Sequence, residues 1–208
     1  MKPRVVVLDY GSGNLRSAER ALARVGAEVT VTADLAAAAA ADGLVVPGVG
    51  AFAACMAGIH RIGAGEVVAD RVSQGAPVLG ICVGMQVLFD SGEEHGVVTK
   101  GLGLLRGEVV RLEAPRVPHM GWNTVSPSGP STLFAGIEPT TRFYFVHSYA
   151  PRPTQALLTQ ADTVTVTEYG VPFVAAVEAG PLSATQFHPE KSGDAGAALL
   201  KNWLGTLR

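Results

Sequence analysis

Apolar residues form unbroken blocks in the first half of the chain and short runs between glycines and prolines in the second. The first block, Arg4–Leu8 (R-V-V-V-L), suits a parallel strand covered on both faces. After D-Y-G-S-G-N (9–14), Leu15, Ala18, Leu22 and Val25 recur on one helical face, with Asn14 placed to cap the helix and Gly26 to close it. Residues 28–32 read as a second strand, the alanine-rich 35–41 as a helix and 43–46 as a third strand. A packed helix around Cys55, a helix over 65–74, a strand over 77–81 and a helix over 85–89 complete this half. Such alternation predicts a doubly wound, mostly parallel α/β sheet flanked by helices. Beyond Gly101, β-like runs at 107–112, 122–125, 141–149, 156–160, 163–167, 173–178 and 182–187 predict an added, mostly antiparallel portion. Leu199, Leu200, Trp203 and Leu204 mark a terminal amphipathic helix, and without linker or repeat one domain over 1–208 is expected.

Composition narrows the function classes. With 208 residues, 48% of them hydrophobic, the chain can bury a full core. A net charge of −2 and the lack of a basic block argue against nucleic acid or an anionic membrane as partner. The first apolar run stops at Asp9, too short for a signal peptide or a membrane span, so a cytoplasmic location is expected. Cys55 and Cys82 form neither a disulfide framework nor a C-x-x-C pair. The Gly11-x-Gly13 turn carries Arg16 where a dinucleotide fingerprint needs its third glycine. Glu93, Glu94 and His95 are adjacent but have no distant co-ligand, so neither metal nor cofactor is expected.

The candidate chemistry centres on Cys82. It lies between an apolar strand and a helix-like run, with Gly80 and Gly84 two residues away on each side, the pattern of a nucleophile elbow. A thiol at a helix N-terminus is expected to ionise more readily, and the Val83 N–H is free to hold an oxyanion. The glycines of P-G-V-G-A-F (47–52) offer a second donor. A buried structural cysteine is the alternative. Of five histidines, His188 is the best base: Glu190 follows two residues later, on the same side of an extended chain, with Pro189 restricting the backbone between them. His147 suits a core or wall position, His60 and His95 look solvated, and His119 suits an interface. Together Cys82, His188 and Glu190 describe a cysteine acyl-transfer enzyme, which leaves a peptidase or thioesterase open beside other acyl donors. A noncatalytic binding subunit is the rival from another class.

G-I-C-V-G-M-Q (80–86) and Q-F-H-P-E-K-S (186–192) resemble class I glutamine amidotransferases, which have a flavodoxin-like fold. D-Y-G-S-G-N-L-R-S (9–17), P-H-M-G-W-N (118–123) and Y-F-V-H-S-Y (144–149) are similar to members that serve histidine biosynthesis with a separate cyclase subunit. The resemblance implies that L-glutamine is hydrolysed to glutamate and ammonia. The ammonia would pass to a (β/α)₈-barrel cyclase in a heterodimer, giving imidazole glycerol phosphate and an aminoimidazole carboxamide ribotide. It further implies Cys82 as nucleophile, His188 as general base and acid, and Glu190 as the residue that orients it. Gly50 and Val83 would line the oxyanion site, and Gln86, Ser148 and Tyr149 would hold the amino-acid end of glutamine. Asn14, Arg16, Trp122, Asn123, Tyr144 and Lys191 match positions facing the cyclase or the ammonia passage, although Trp122 and Tyr144 also suit a core. Val83 departs from the leucine common in the family, at a position where only the backbone N–H matters.

Overall fold

A computed structural model describes residues 1–207. In order, the chain forms β1 (Arg4–Leu8), α1 (Leu15–Arg24), β2 (Glu28–Thr32), α2 (Leu35–Ala40), β3 (Gly43–Gly48), α3 (Phe52–Ile62), α4 (Ala64–Ser73), β4 (Val78–Cys82) and the single-turn α5 (Val83–Gln86). Then come β5 (Phe89–Glu94), β6 (Val97–Lys100), β7 (Leu105–Arg111), β8 (His119–Thr124), β9 (Ser126–Pro127), β10 (Arg142–His147) and β11 (Tyr149–Pro151). Last are α6 (Gln155–Gln160), β12 (Thr163–Tyr169), β13 (Val171–Ala179), β14 (Leu182–Thr185), a 3₁₀ turn (Pro189–Lys191) and α7 (Gly193–Leu204).

The main sheet runs β2-β1-β3-β4-β14-β13-β12-β9. Strands β2 through β14 in that order are parallel, and the three beyond are antiparallel. The central strands β3 and β4 are buried at every position, and for that reason their sequences are unbroken apolar runs, whereas edge strand β2 is only partly covered. A second sheet, β11-β7-β5-β6, and the β8–β10 ribbon stand beside it. Both Cys82, ending β4, and His188, following β14, therefore emerge at the carboxyl edge of adjacent parallel strands.

Three expectations need correction. Residues 85–89 are not a helix: α5 stops at Gln86 and the chain enters β5, paired in parallel with β7. Met85, Val87, Leu88 and Phe89 are all fully buried, so the run carries no periodicity to separate helix from strand. Residues 156–160 lie in helix α6 rather than a strand, started by Thr154, whose side chain accepts a hydrogen bond from the Leu157 N–H at 3.3 Å. The second half is mostly antiparallel, as expected, with the two parallel pairings β14–β4 and β5–β7. Asn14 occupies the N-cap position of α1 in a left-handed conformation, φ 68°, yet its side chain does not cap the helix.

Arg71 shows how the amino-edge turns are held. It is buried, and its guanidinium donates to the carbonyls of Ala38, Ala39 and Ala41 at 2.9–3.1 Å and to that of Pro77 at 3.1 Å. These include carbonyls at the C-terminal end of α2 that have no partner within the helix. Arg71→Met should cost about 2–4 kcal/mol, read as a lower midpoint in chemical denaturation, because several buried acceptors lose their donor together.

Candidate active site

Cys82 sits at φ 56°, ψ −116°, a conformation that L residues avoid, at the junction of β4 and α5. The turn packs directly on β3: a Cβ added to Gly84 would lie 1.9 Å from the Val46 carbonyl oxygen. Only a glycine fits there, and the contact fixes the height of the cysteine above the sheet. Because α5 is one turn long, little macrodipole acts on the thiol, contrary to the longer helix expected from sequence. As the first residue of α5, Val83 keeps a backbone N–H with no intrahelical acceptor.

His188 is 2% exposed. Its Nδ1 lies 2.7 Å from Glu190 Oε1, and both side chains are buried. The two residues come together through the 3₁₀ turn that starts at Pro189, not through the extended chain expected. Tyr144 and Ser192 hold the turn: the His188 N–H donates to the Tyr144 carbonyl at 2.9 Å, and the Ser192 hydroxyl donates to the His188 carbonyl at 2.7 Å. Asn14 Nδ2 donates to the same Glu190 oxygen at 3.0 Å, so the amide expected to cap a helix orients the carboxylate instead. Glu190 Oε2 is buried without a partner.

Burial alone would push the His188 imidazole down, but its hydrogen bonds with Cys82 and Glu190 and their charges outweigh it, and its pKa is pushed up to about 9. The ordinary value is about 6.5. A proton bound more tightly in the folded state stabilises fully below the unfolded pKa and is lost as pH rises through the folded one. The unfolding free energy should therefore decline from about pH 6.5 to about 9, and Glu190→Gln should flatten that decline in a pH series of urea titrations. Equal slopes in both proteins would contradict the coupling.

A cavity of about 220 Å³ opens over these groups. Cys82, Val83 and His188 line it together with Val49, Gly50, Ser148 and Tyr149. Glu94, Lys191 and the protonated His188 supply its charges, and Gln86 and His147 are further polar lining. The Pro47–Gly50 backbone beside it is fixed by three side chains. The Tyr10 hydroxyl donates to the Pro47 carbonyl, Ser12 Oγ accepts from the Val49 N–H at 2.9 Å, and the Cys55 thiol donates to the Val49 carbonyl at 3.5 Å. Gly50 follows at φ 87°, exposed. Gln86 is buried and its amide nitrogen is committed to the Tyr149 carbonyl, at 2.9 Å, and to Gln186 Oε1, at 3.0 Å.

The other expected residues separate. Lys191 is exposed at the cavity. Trp122 is 52% exposed and packs edge-on against Tyr144 with ring centres 5.8 Å apart, a surface pair rather than core. Asn123 is half-buried and donates to the Glu168 carbonyl at 3.0 Å, and Arg16 is exposed, paired with Glu19 at 2.8 Å. His60 and His95 are exposed, and His147 is a buried wall residue. His119 does not face an interface. It is buried, stacks between Phe145 and Tyr169, and meets His147 Nε2 at 3.1 Å. Burial lowers the two pKa values to about 4 and about 3, so the pair is neutral. Glu94 stands out in the sequence only as part of the Glu93-Glu94-His95 run and not as a cavity residue: it reaches the cavity through β5, a strand the sequence pattern does not reveal.

Among the described residues, no three His, Cys, Asp or Glu side chains gather to hold a metal, and no helix is long and apolar enough to cross a membrane. A larger depression, about 620 Å³, lies at the amino edge of β4 beside Asp42 and Glu178. The Glu178 carboxylate there is occupied by the Ser131 hydroxyl and the N–H groups of Thr132 and Leu133. The depression's hydroxyls, Thr132, Ser183 and Thr206, have no histidine beside them and its lining holds no cysteine, so the smaller cavity is the candidate site.

A family model described as glutamine amidotransferase class-I matches residues 6–206. A Thermobifida fusca (strain YX) protein named imidazole glycerol phosphate synthase subunit HisH is 60% identical over 211 residues, covering 100% of each chain. A Mycobacterium bovis protein of the same name is 63% identical over 207 residues, covering 98% of each. Among solved structures, one described as a glutamine amidotransferase superposes with a TM-score of 0.72 at 22% identity, covering 97% of this chain and 99% of that one. PurLQS from Thermotoga maritima superposes with a TM-score of 0.71 at 20% identity, covering 100% of both. At those identities the superpositions speak to fold alone.

Proposed function

We propose, because the chain belongs to the class I glutamine amidotransferase family, that its cavity hydrolyses L-glutamine to glutamate and ammonia for imidazole glycerol phosphate synthase. The observation that carries the reading is the buried His188–Glu190 pair bordering the same cavity as the strained Cys82 elbow. Cys82 as thiolate attacks the carboxamide carbon of glutamine, and the carbonyl oxygen becomes an oxyanion facing the N–H groups of Val83 and Gly50. The raised pKa of His188 keeps its proton available near neutral pH, and that proton goes to the leaving nitrogen, releasing ammonia and a γ-glutamyl thioester on Cys82. His188, now neutral, takes a proton from water, which attacks the thioester and frees glutamate and Cys82. Glu190, aligned by Asn14, fixes Nδ1 so that Nε2 serves the reaction.

Glu94 lines the cavity with Ser148 and Tyr149, and its carboxylate, one oxygen of which accepts from the Phe52 N–H at 2.9 Å, suits the α-ammonium group of glutamine. Gln86 acts by holding the Tyr149 carbonyl rather than with its amide nitrogen on substrate.

Ammonia released into water would protonate, so an acceptor must receive it directly. The proposed acceptor is the (β/α)₈-barrel cyclase subunit, forming a cytoplasmic heterodimer that yields imidazole glycerol phosphate in the overall lyase reaction. The exposed Trp122 with its half-buried neighbour Tyr144, Asn123, Arg16 and Lys191 are its proposed contacts, with Asn14 linking that side to Glu190. Glutamate release by the isolated chain should be slow and should rise strongly when the cyclase and its nucleotide ligand are added. A full rate without the cyclase would contradict the coupling, and no release in either case, with Cys82 reduced, would contradict glutamine as substrate.

A further inference from the structure

One polar contact to the Cys82 sulfur has no place in the steps above. Gln186, just beyond β14, is fully buried, and its Nε2 lies 3.7 Å from Cys82 Sγ. Its main chain is held as well, the N–H donating to the Ala175 carbonyl at 2.8 Å.

The direction of that amide follows from its neighbours. The Tyr149 carbonyl can only accept, so the end of Gln86 that meets it at 2.9 Å is the NH₂ group. The same NH₂ reaches Gln186 at 3.0 Å and can only donate, so the atom there is Oε1. The opposite end of the Gln186 amide, toward the sulfur, is therefore NH₂. A backbone carbonyl two links away thus fixes a donor on Cys82. His147 Nδ1 meets that carbonyl too, at 2.9 Å, and as a neutral imidazole donates its proton there.

We propose that Gln186 is a further catalytic residue, whose amide N–H holds the Cys82 sulfur as thiolate and fixes its direction under the cavity. Hydrogen bonds to an ionised acceptor are stronger than those to a neutral one, so the donor favours thiolate over thiol. With α5 only one turn long, a side-chain donor supplies what a long helix dipole does elsewhere. The other titratable groups around the sulfur are His188 with its partner Glu190, Lys191, Glu94 and Tyr149 at the cavity, neutral His147 on β10, and Tyr10 and Cys55 on the Pro47 and Val49 carbonyls. A change of Gln186 alone alters none of these residues.

The proposal rests on Cys82 as nucleophile, but its test needs no glutamine. The alkylation rate of Cys82 by iodoacetamide, resolved from Cys55 by peptide mass spectrometry, is followed across about pH 5 to 10 in the reduced full chain. Gln186→Leu should move the midpoint up by about one unit and slow alkylation at neutral pH by about five- to tenfold, the rates converging at high pH. Gln186→Glu keeps the shape but turns an acceptor toward the sulfur, and should move the midpoint further. An unchanged midpoint in the folded Glu variant would overturn the proposal. So would a slowing by one factor at every pH, the signature of altered access alone. If glutamine is not the substrate, glutamate release fails while the alkylation shift persists.

Discussion

Cys82→Ala is expected to lower glutamate release by a factor of about 10⁴ or more, to background, while the chain still folds and still binds the cyclase. The loss is so large because no other thiol can substitute: Cys55 is buried behind the Pro47–Gly50 backbone, with its thiol engaged on the Val49 carbonyl. The same position supports a stability comparison. With φ at 56° and ψ at −116°, Cys82 pays a conformational cost that alanine shares and glycine does not. Cys82→Gly should therefore be inactive yet more stable than Cys82→Ala by about 1 kcal/mol in urea unfolding. Such a gain would mark the elbow as strain retained for chemistry. Equal stability of the two variants would show that the turn holds no such strain.

The second large effect is expected at Gly84, and it acts through position rather than chemistry. An added methyl would lie 1.9 Å from the Val46 oxygen and 2.9 Å from the Pro47 carbonyl carbon, both backbone atoms of the central strand β3. Neither can turn aside as a side chain does, so α5 must lift from the sheet and carry Cys82 with it. Gly84→Ala should cost about 3 kcal/mol or more of stability, and the fraction that folds should lose glutaminase activity by about 100-fold. Denaturation midpoints and activity per folded molecule separate the two losses. Retention of wild-type stability would mean that the elbow does not rest on β3 as described.

How much of this was legible in the sequence differs from element to element. The strands β1, β3 and β4 were readable because central parallel strands are buried on both faces, leaving unbroken apolar runs with turns between them. The small residues around Cys82 and the His188-Pro189-Glu190 spacing were readable because each is local. Residues 85–89 were misread for the opposite reason: a run buried on every side has no period, so the path into β5 is decided by packing. Helix α6 hid behind its Leu-rich sequence, although the Thr154 cap was there to be noticed. Asn14 on Glu190, 176 residues away, and Gln186 on Cys82, 104 residues away, are products of the fold, and nothing near either residue announces its partner. The buried His119–His147 pair is of the same kind, formed by the register that sets His147 opposite His119 across β10 and β8.

Turnover through Cys82 requires a covalent intermediate on its sulfur, which acid-quenched mass spectrometry during glutamine turnover would capture. A γ-glutamyl adduct is expected on the peptide carrying Cys82, present only with glutamine and lost in Cys82→Ala. Glutamate formed at an unchanged rate by Cys82→Ala, or an adduct found on Cys55 instead, would contradict turnover through Cys82.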